Sequence, residues 1–273
     1  MKESERVESL TADDAVTSAA PSELSSELVR SKISIEPSLT DAVMFDSLMY
    51  VEIAQQRADD MTVANAARVS TIGVEGPQKI EPKGLIDYLM KNRHGTPFEH
   101  NLFTFKITAP IFVMREFQRH RVGWSYNEES GRYKELDAHF WLPDVRRKLC
   151  QSGPAAHYHM YEGDREQYQL AVRAMEGSYR TAWASYRTML EVGVAREVAR
   201  SVLPVATYSS MYATCNARSL MHFLGLRTKD VMATHQSNPM AEIESVARQM
   251  EQFFQDAMPL THAAFHRFGR VAP

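Results

Sequence analysis

The chain has 273 residues and a mass of 31.0 kDa, enough for one large domain or for one domain with a tail. At 44% hydrophobic and 10% aromatic residues it carries material for a sizeable core, which excludes global disorder. With 31 Lys and Arg against 34 Asp and Glu the net charge is -3, which argues against nucleic-acid binding by bulk charge and leaves only a local basic patch.

Two cysteines, Cys150 and Cys215, make neither a disulfide framework nor a zinc quartet, and they suit a reducing cytoplasm. No apolar run approaches the ~20 residues that span a bilayer. The expectation is a soluble cytoplasmic protein with no nucleic-acid or membrane partner. Residues 1–43 are rich in Ser, Thr, Ala and Glu and nearly without apolar periodicity, so they read as a mobile extension or a short surface helix. The folded domain is expected over residues 44–273.

In chain order, residues 82–93 read as a helix with Leu85, Ile86, Leu89 and Met90 on one face. Residues 101–109 alternate, Phe103, Phe105 and Ile107 facing one way and Thr104, Lys106 and Thr108 the other, the mark of a half-buried strand. Pro110 opens a helix expected to run into Arg119-His120-Arg121. Residues 166–192 form the longest helix, and a short one follows over 194–202. Residues 205–215 are β-branched and aromatic, hence extended. Asn216 caps a helix carrying Leu220, Phe223 and Leu224, and residues 240–258 form a last amphipathic helix. Strands arrive without regular βαβ alternation, so the class is α+β.

The densest polar constellation is the run 115–121, from Arg115 through Glu116, Phe117, Gln118, Arg119 and His120 to Arg121, followed by the hydroxyls, carboxylates and arginine of 125–133. Cations at a helix C-terminal end are favoured there by the dipole, and arginine forks match phosphate oxygens in pairs. Two readings fit: a cradle for a phosphorylated ligand, or a solvated basic turn balanced by Glu116, Glu128 and Glu129. Weaker candidates are the helical pair Glu197 and Arg200, the helix start Asn216-Ala217-Arg218, Arg227 in an apolar stretch, and His94, Thr96, Glu99 and His100 around Pro97-Phe98. His157 and His159 have no partner at zinc spacing, so no metal is expected. Rossmann, Walker and nucleophile-elbow motifs are absent from the sequence.

The segment 119–133, RHRVGWSYNEESGRY, resembles the hallmark of the flavin-dependent thymidylate synthases, an R-H-R triplet followed after seven or eight residues by serine. Eight residues separate Arg121 from Ser130 here. Ordered patches support the resemblance: Ala67-Arg68-Val69-Ser70, Thr96-Pro97-Phe98-Glu99-His100, Arg196-Glu197-Val198-Ala199-Arg200, Asn216-Ala217-Arg218-Ser219-Leu220 and Gly225-Leu226-Arg227. The resemblance implies an antiparallel sheet flanked by helices and a homotetramer with active sites shared between subunits. It also implies reductive methylation of dUMP to dTMP, with methylenetetrahydrofolate as carbon donor, FAD as hydride carrier and NADPH as reductant.

Residue by residue, the resemblance implies FAD contacts from His94, Thr96, Arg119, His120, Arg121, Glu128, Asn216, Ala217, Arg218 and His222. For dUMP it implies Glu116, Phe117, Gln118, Arg119, Glu128, Glu129, Ser130, Gly131, Arg132, Arg200 and Arg227, with Ser130 and Arg132 on the phosphate. Arg227 is then the catalytic residue, its fixed charge stabilising an N3-deprotonated uracil whose C5 becomes nucleophilic. Neither cysteine sits beside a visible base, in keeping with chemistry that needs no thiolate. Glu116 stands where some relatives carry Gln and His222 where others carry Asn.

Overall fold

The computed structural model describes residues 42–75, 81–155 and 157–273. The extension expected over 1–43 lies, apart from its last two residues, outside them. The strands are β1 (Met44–Asp46), β2 (Tyr50–Arg57), β3 (Leu102–Pro110), β4 (Trp124–Glu128), β5 (His139–Trp141), β6 (Cys150–Ser152), β7 (His159–Tyr161) and β8 (Tyr208–Asn216). The helices are α1 (Asp60–Ile72), α2 (Lys83–Lys91), α3 (Ile111–Phe117), α4 (Arg165–Glu191), α5 (Arg196–Ala199), α6 (Ala217–Arg227), α7 (Ala241–Ala257) and α8 (Pro259–Arg267). The class is α+β, as the sequence pattern implies.

A four-stranded sheet in the order β2-β3-β8-β4, antiparallel throughout, positions everything else. The alternation in β3 does what its period demands: Phe103, Phe105 and Ile107 are fully buried. On the opposite face the Thr104 and Thr214 hydroxyls lie 3.0 Å apart, and Lys106 Nζ reaches Glu52 at 2.8 Å. The apolar face is covered by Ile243, Val246, Met250 and Phe254 of α7 and by Leu220, Phe223 and Leu224 of α6, all fully buried. Each such side chain contributes about 2 kcal/mol by leaving water. A second apolar cluster joins Phe140 to Tyr179, Trp183 and Tyr186 of α4, whose start is fixed by a reciprocal capping box between Asp164 and Gln167.

Several elements depart from expectation. The helix opened by Pro110 stops at Phe117, so the 119–121 triplet lies on a turn and not along a helix. Residues 124–128, where no strand is expected from the sequence, form the edge strand β4, because Trp124 through Glu128 pair with Cys215 through Met211. The helix expected over 194–202 breaks into α5 and a 3-10 turn, Arg200–Val202, ahead of Pro204. β8 and α6 share a junction without a connecting residue: Asn216 ends the strand, and its side-chain oxygen accepts the Ser219 N–H at 2.8 Å. No described helix is long and apolar enough to cross a membrane.

A buried ionic cluster closes the far side. Glu251 of α7 accepts from Arg270 Nη1 at 2.5 Å and Nη2 at 3.0 Å, and lies 3.1 Å from His262 and 3.2 Å from His266 of α8. Arg270 Nη2 also donates to Thr228 Oγ1 at 2.7 Å, immediately after α6. Burial by itself raises the Glu251 carboxyl pKa, but the hydrogen bonds from His262, His266 and Arg270 prevail and hold it well below the usual carboxylate range. Glu251, His262 and His266 are the one group among the described residues with metal-ligand spacing, and the Arg270 guanidinium already supplies the cation there.

Candidate active site

The triplet is displayed by a turn that is tied down from both sides. The Tyr126 hydroxyl lies 2.9 Å from both the Phe117 and the His120 carbonyls, and the His120 N–H donates to the Phe117 carbonyl at 2.8 Å. Gly123 adopts φ 70°, and a Cβ there would stand 2.2 Å from Ser219 Oγ, so only glycine lets the turn approach α6. Ser219 Oγ donates in turn to the Val122 carbonyl at 2.9 Å. Arg119 and Arg121 are left exposed and His120 half-buried.

Arg227, the last residue of α6, meets this turn. Its Nη1 donates to Glu116 Oε2, its Nη2 to the Glu116 carbonyl at 3.3 Å, and its Nε to His120 Nε2 at 3.1 Å. The helix dipole favours a cation at this end. Burial, and then the neighbouring charges of Arg227, His222 and Arg119, push the His120 pKa down to about 4. Burial and Arg218 likewise lower that of His222. His120 is therefore a neutral imidazole at physiological pH, and Arg227 with Arg119 and Arg121 supplies the positive charge.

Three cavities collect part of the candidate set. The first, about 490 Å³, is lined by His120, Arg121, Trp124, Asn216, Arg218 and His222, with Glu99 and Ser219. The second, about 530 Å³, holds His94, Thr96 and Ser70 and shares Arg218 with the first. The third, about 290 Å³, lies along the sheet edge with Asn127, Glu128, Glu129 and Ser210. A larger hollow of about 670 Å³ against α1, around Arg57 and Asn65, takes in His100 and the Arg68-Val69 part of the first motif patch, but none of the residues implied for FAD or dUMP.

The Ser130-Gly131-Arg132 turn forms a further group. The Arg132 N–H donates to Ser130 Oγ at 3.3 Å, and a Cβ on Gly131 would stand 3.2 Å from Arg200 Cδ, so Arg200 packs directly on the turn. Glu197 pairs with Arg132 Nε at 3.1 Å, across the fold, and not with Arg200 three residues along its own helix. Phe117 is fully buried and stacked on Phe223 with centroids 4.8 Å apart, leaving its side chain no ligand to touch. Ala217 is buried too, whereas Gln118 is exposed. Cys215 is buried, its thiol pKa raised by burial, and Cys150 contacts only Gln167 at 3.4 Å among the described hydrogen bonds.

Within one chain, then, His120, Arg121, Asn216, Arg218 and His222 come together, and so do Glu116, His120 and Arg227. His94 and Thr96 stand in the neighbouring cavity, Glu128 and Glu129 in the third, and Ser130 to Arg132 beside Arg200. Trp124 and Ser219 line the first cavity without having been singled out. Ser219 lies inside the Asn216–Leu220 motif and Trp124 inside the 119–133 segment, and those patches were the available signal.

The chain matches the family described as "Thymidylate synthase complementing protein" over residues 52–260. It is 58% identical over 228 residues to a flavin-dependent thymidylate synthase of Streptomyces coelicolor, covering 82% of this chain and 93% of the relative. A protein of the same name from Tropheryma whipplei is 49% identical over 234 residues, covering 84% and 97%. Among solved structures, a UMP/dUMP methylase PolB from Streptomyces cacaoi bound with 5-Br dUMP superposes with a TM-score of 0.80 at 48% identity, covering 85% of this chain and 100% of that one. The motif patches, the antiparallel sheet and these likenesses agree, and the chain belongs to the thymidylate synthase complementing protein family, the flavin-dependent thymidylate synthases, a family of methyltransferase enzymes.

Proposed function

We propose that the protein converts dUMP to dTMP, taking the carbon from methylenetetrahydrofolate and reducing equivalents from NADPH through FAD. The observation that carries this reading is the meeting of Arg227 with the 119–121 triplet beside a donor-rich, aromatic cavity. The cavity suits a flavin dinucleotide: Arg121, Arg218 and the Asn216 amide nitrogen are donors for phosphate oxygens, and Trp124 and His222 offer ring faces. FAD, when bound, supplies the hydride that completes the methyl group. His94, Thr96 and Glu128 are proposed to contact it from the other cavities. Because these half-sites stand apart in one chain, their completion by further copies in a homotetramer is part of the proposal.

For the nucleotide, Ser130 Oγ and the guanidinium groups of Arg132 and Arg200 are proposed to hold the phosphate, with Arg119 and Gln118 exposed nearby in sequence to complete the donor set. Arg227 takes the uracil edge. A permanently charged planar fork against N3 and its neighbouring carbonyl favours the N3-deprotonated ring and so raises electron density at C5, which attacks the one-carbon unit. Glu116 must give up its carboxylate contact with Arg227 for that edge to be free. No cysteine takes part: Cys215 has no route to solvent.

Formation of dTMP with FAD, dUMP, methylenetetrahydrofolate and NADPH, each omitted in turn, tests the proposal. Product that survives omission of flavin or NADPH refutes it. A second reading has one observation in its favour: the Streptomyces cacaoi protein is described as acting on both UMP and dUMP. Substituting UMP in the same assay decides whether the 2′-hydroxyl is tolerated.

A further inference from the structure

We infer that His120 is a positioning residue for Arg227, holding the guanidinium through its Nε so that both terminal nitrogens stay available to the substrate. The inference rests on the proposed role of Arg227. It assigns to the middle residue of the triplet a task different from touching the flavin.

The argument begins with donors and acceptors. Arginine carries N–H donors and no acceptor, so a 3.1 Å contact between Arg227 Nε and His120 Nε2 requires the imidazole nitrogen to accept. His120 is then neutral with its proton on Nδ1. Its surroundings favour that state: the ring is half-buried and packs edge-on to Phe223 with centroids 5.0 Å apart, and Trp124 stands at 6.4 Å. The charged and titratable groups facing it are Arg227 and His222 of α6 and Arg119 of its own turn, all of which oppose a second positive charge. The Glu116 carboxylate is engaged by Arg227, and Glu99, which lines the same cavity, by Arg218.

The second step concerns what remains when substrate enters. Of the three contacts that fix Arg227, two run from Nη1 and Nη2 to Glu116, on the edge a pyrimidine needs. The contact from Nε to His120 uses neither terminal nitrogen and survives that exchange. The backbone of His120 is itself held, its N–H on the Phe117 carbonyl at 2.8 Å and its carbonyl 2.9 Å from the Tyr126 hydroxyl. His120 thus gives Arg227 a fixed pivot while Glu116 is displaced.

The test uses the full chain loaded with flavin. Nitrogen and carbon NMR of the labelled His120 ring should show the Nδ1–H tautomer at neutral pH and protonation only near pH 4. Arg227→Met should move that midpoint upward, though short of 6.5 because burial persists. In parallel, His120→Leu should lower kcat about tenfold, the loss of one orienting hydrogen bond, while flavin stays bound. His120→Gln, whose amide oxygen restores an acceptor, should recover most of that loss. A His120 midpoint indifferent to Arg227→Met overturns the inference, and so does equal loss of flavin in the Leu and Gln variants, which would make His120 a flavin ligand. If the unmodified enzyme makes no dTMP, the proposed function fails, yet the NMR coupling still decides whether His120 and Arg227 are paired.

Discussion

Arg270→Met is the perturbation whose size follows most directly from the structure. The Arg270 side chain is 1% exposed, and its guanidinium binds both oxygens of Glu251, itself 9% exposed, together with Thr228 Oγ1. Methionine fills a similar volume and inherits the same backbone φ of 55°, so neither a cavity nor new backbone strain confuses the result. Removing one partner of a buried pair costs about 3–5 kcal/mol, because the other charge is left behind. His262 and His266 remain beside Glu251 at 3.1 and 3.2 Å, which places the expected loss near the lower end, about 3 kcal/mol. For a domain of this size that corresponds to a fall in Tm of about 6–12 °C. Calorimetry and urea unfolding at fixed protein concentration measure it. The double variant Glu251→Gln with Arg270→Met should regain part of the loss, since no buried charge is orphaned. The Glu251 pKa is depressed in the folded state, so its contribution is present above the unfolded value, 4.5, and is lost as pH falls through the acid range below it. The double variant should accordingly show a shallower acid slope than the parent. A loss below about 1 kcal/mol for Arg270→Met, or a double variant worse than the single one, would refute the reasoning.

Four further outcomes are expected. Arg227→Ala should retain flavin, seen by absorbance, but lose about 3–4 kcal/mol of transition-state stabilisation in single-turnover dTMP formation; near-normal turnover would remove Arg227 from catalysis. Ser130→Ala and Arg132→Ala should weaken dUMP binding more than flavin binding by calorimetric titration, and equal weakening would mean the turn is misassigned. Asn216→Ala should cost about 1 kcal/mol in unfolding experiments through the lost cap on Ser219. Gly123→Ala, forced into φ 70° and against Ser219 Oγ, should destabilise by about 1–3 kcal/mol and reduce flavin affinity.

What could be read in advance divides by range. The period of β3 and the long stripe of α4 are local signals enforced by burial, and both elements form close to the expected limits. The Asn216 cap is local too, and the structure bears it out. The end of α3 was not legible, because a Tyr126 hydroxyl nine residues from Phe117 helps to fix the turn that follows it. β2 and α1 escaped notice: β2 is mostly exposed, its last four residues wholly so, and α1 buries little beyond Asp60, Val63 and Ala64. The contact between Glu116 and Arg227 spans 111 positions, and the Glu251–Arg270 pair binds α7 to a segment beyond α8. Motif resemblance supplied a residue list; it did not reveal that one chain divides that list among separate hollows.

The junction at Asn216 bears on how this chain tolerates change. β8 is held in register by β3 on one side and β4 on the other, so it cannot slide to absorb an added residue. With no linker before α6, one insertion there would turn the helix by about 100° and advance it about 1.5 Å. Arg218, His222 and Arg227 would all swing off their present bearings together. The angular phase of the helix is therefore inherited from the strand, and length variation between relatives should gather in the loops that flank β6 and β7 and be rarest at residues 215–218.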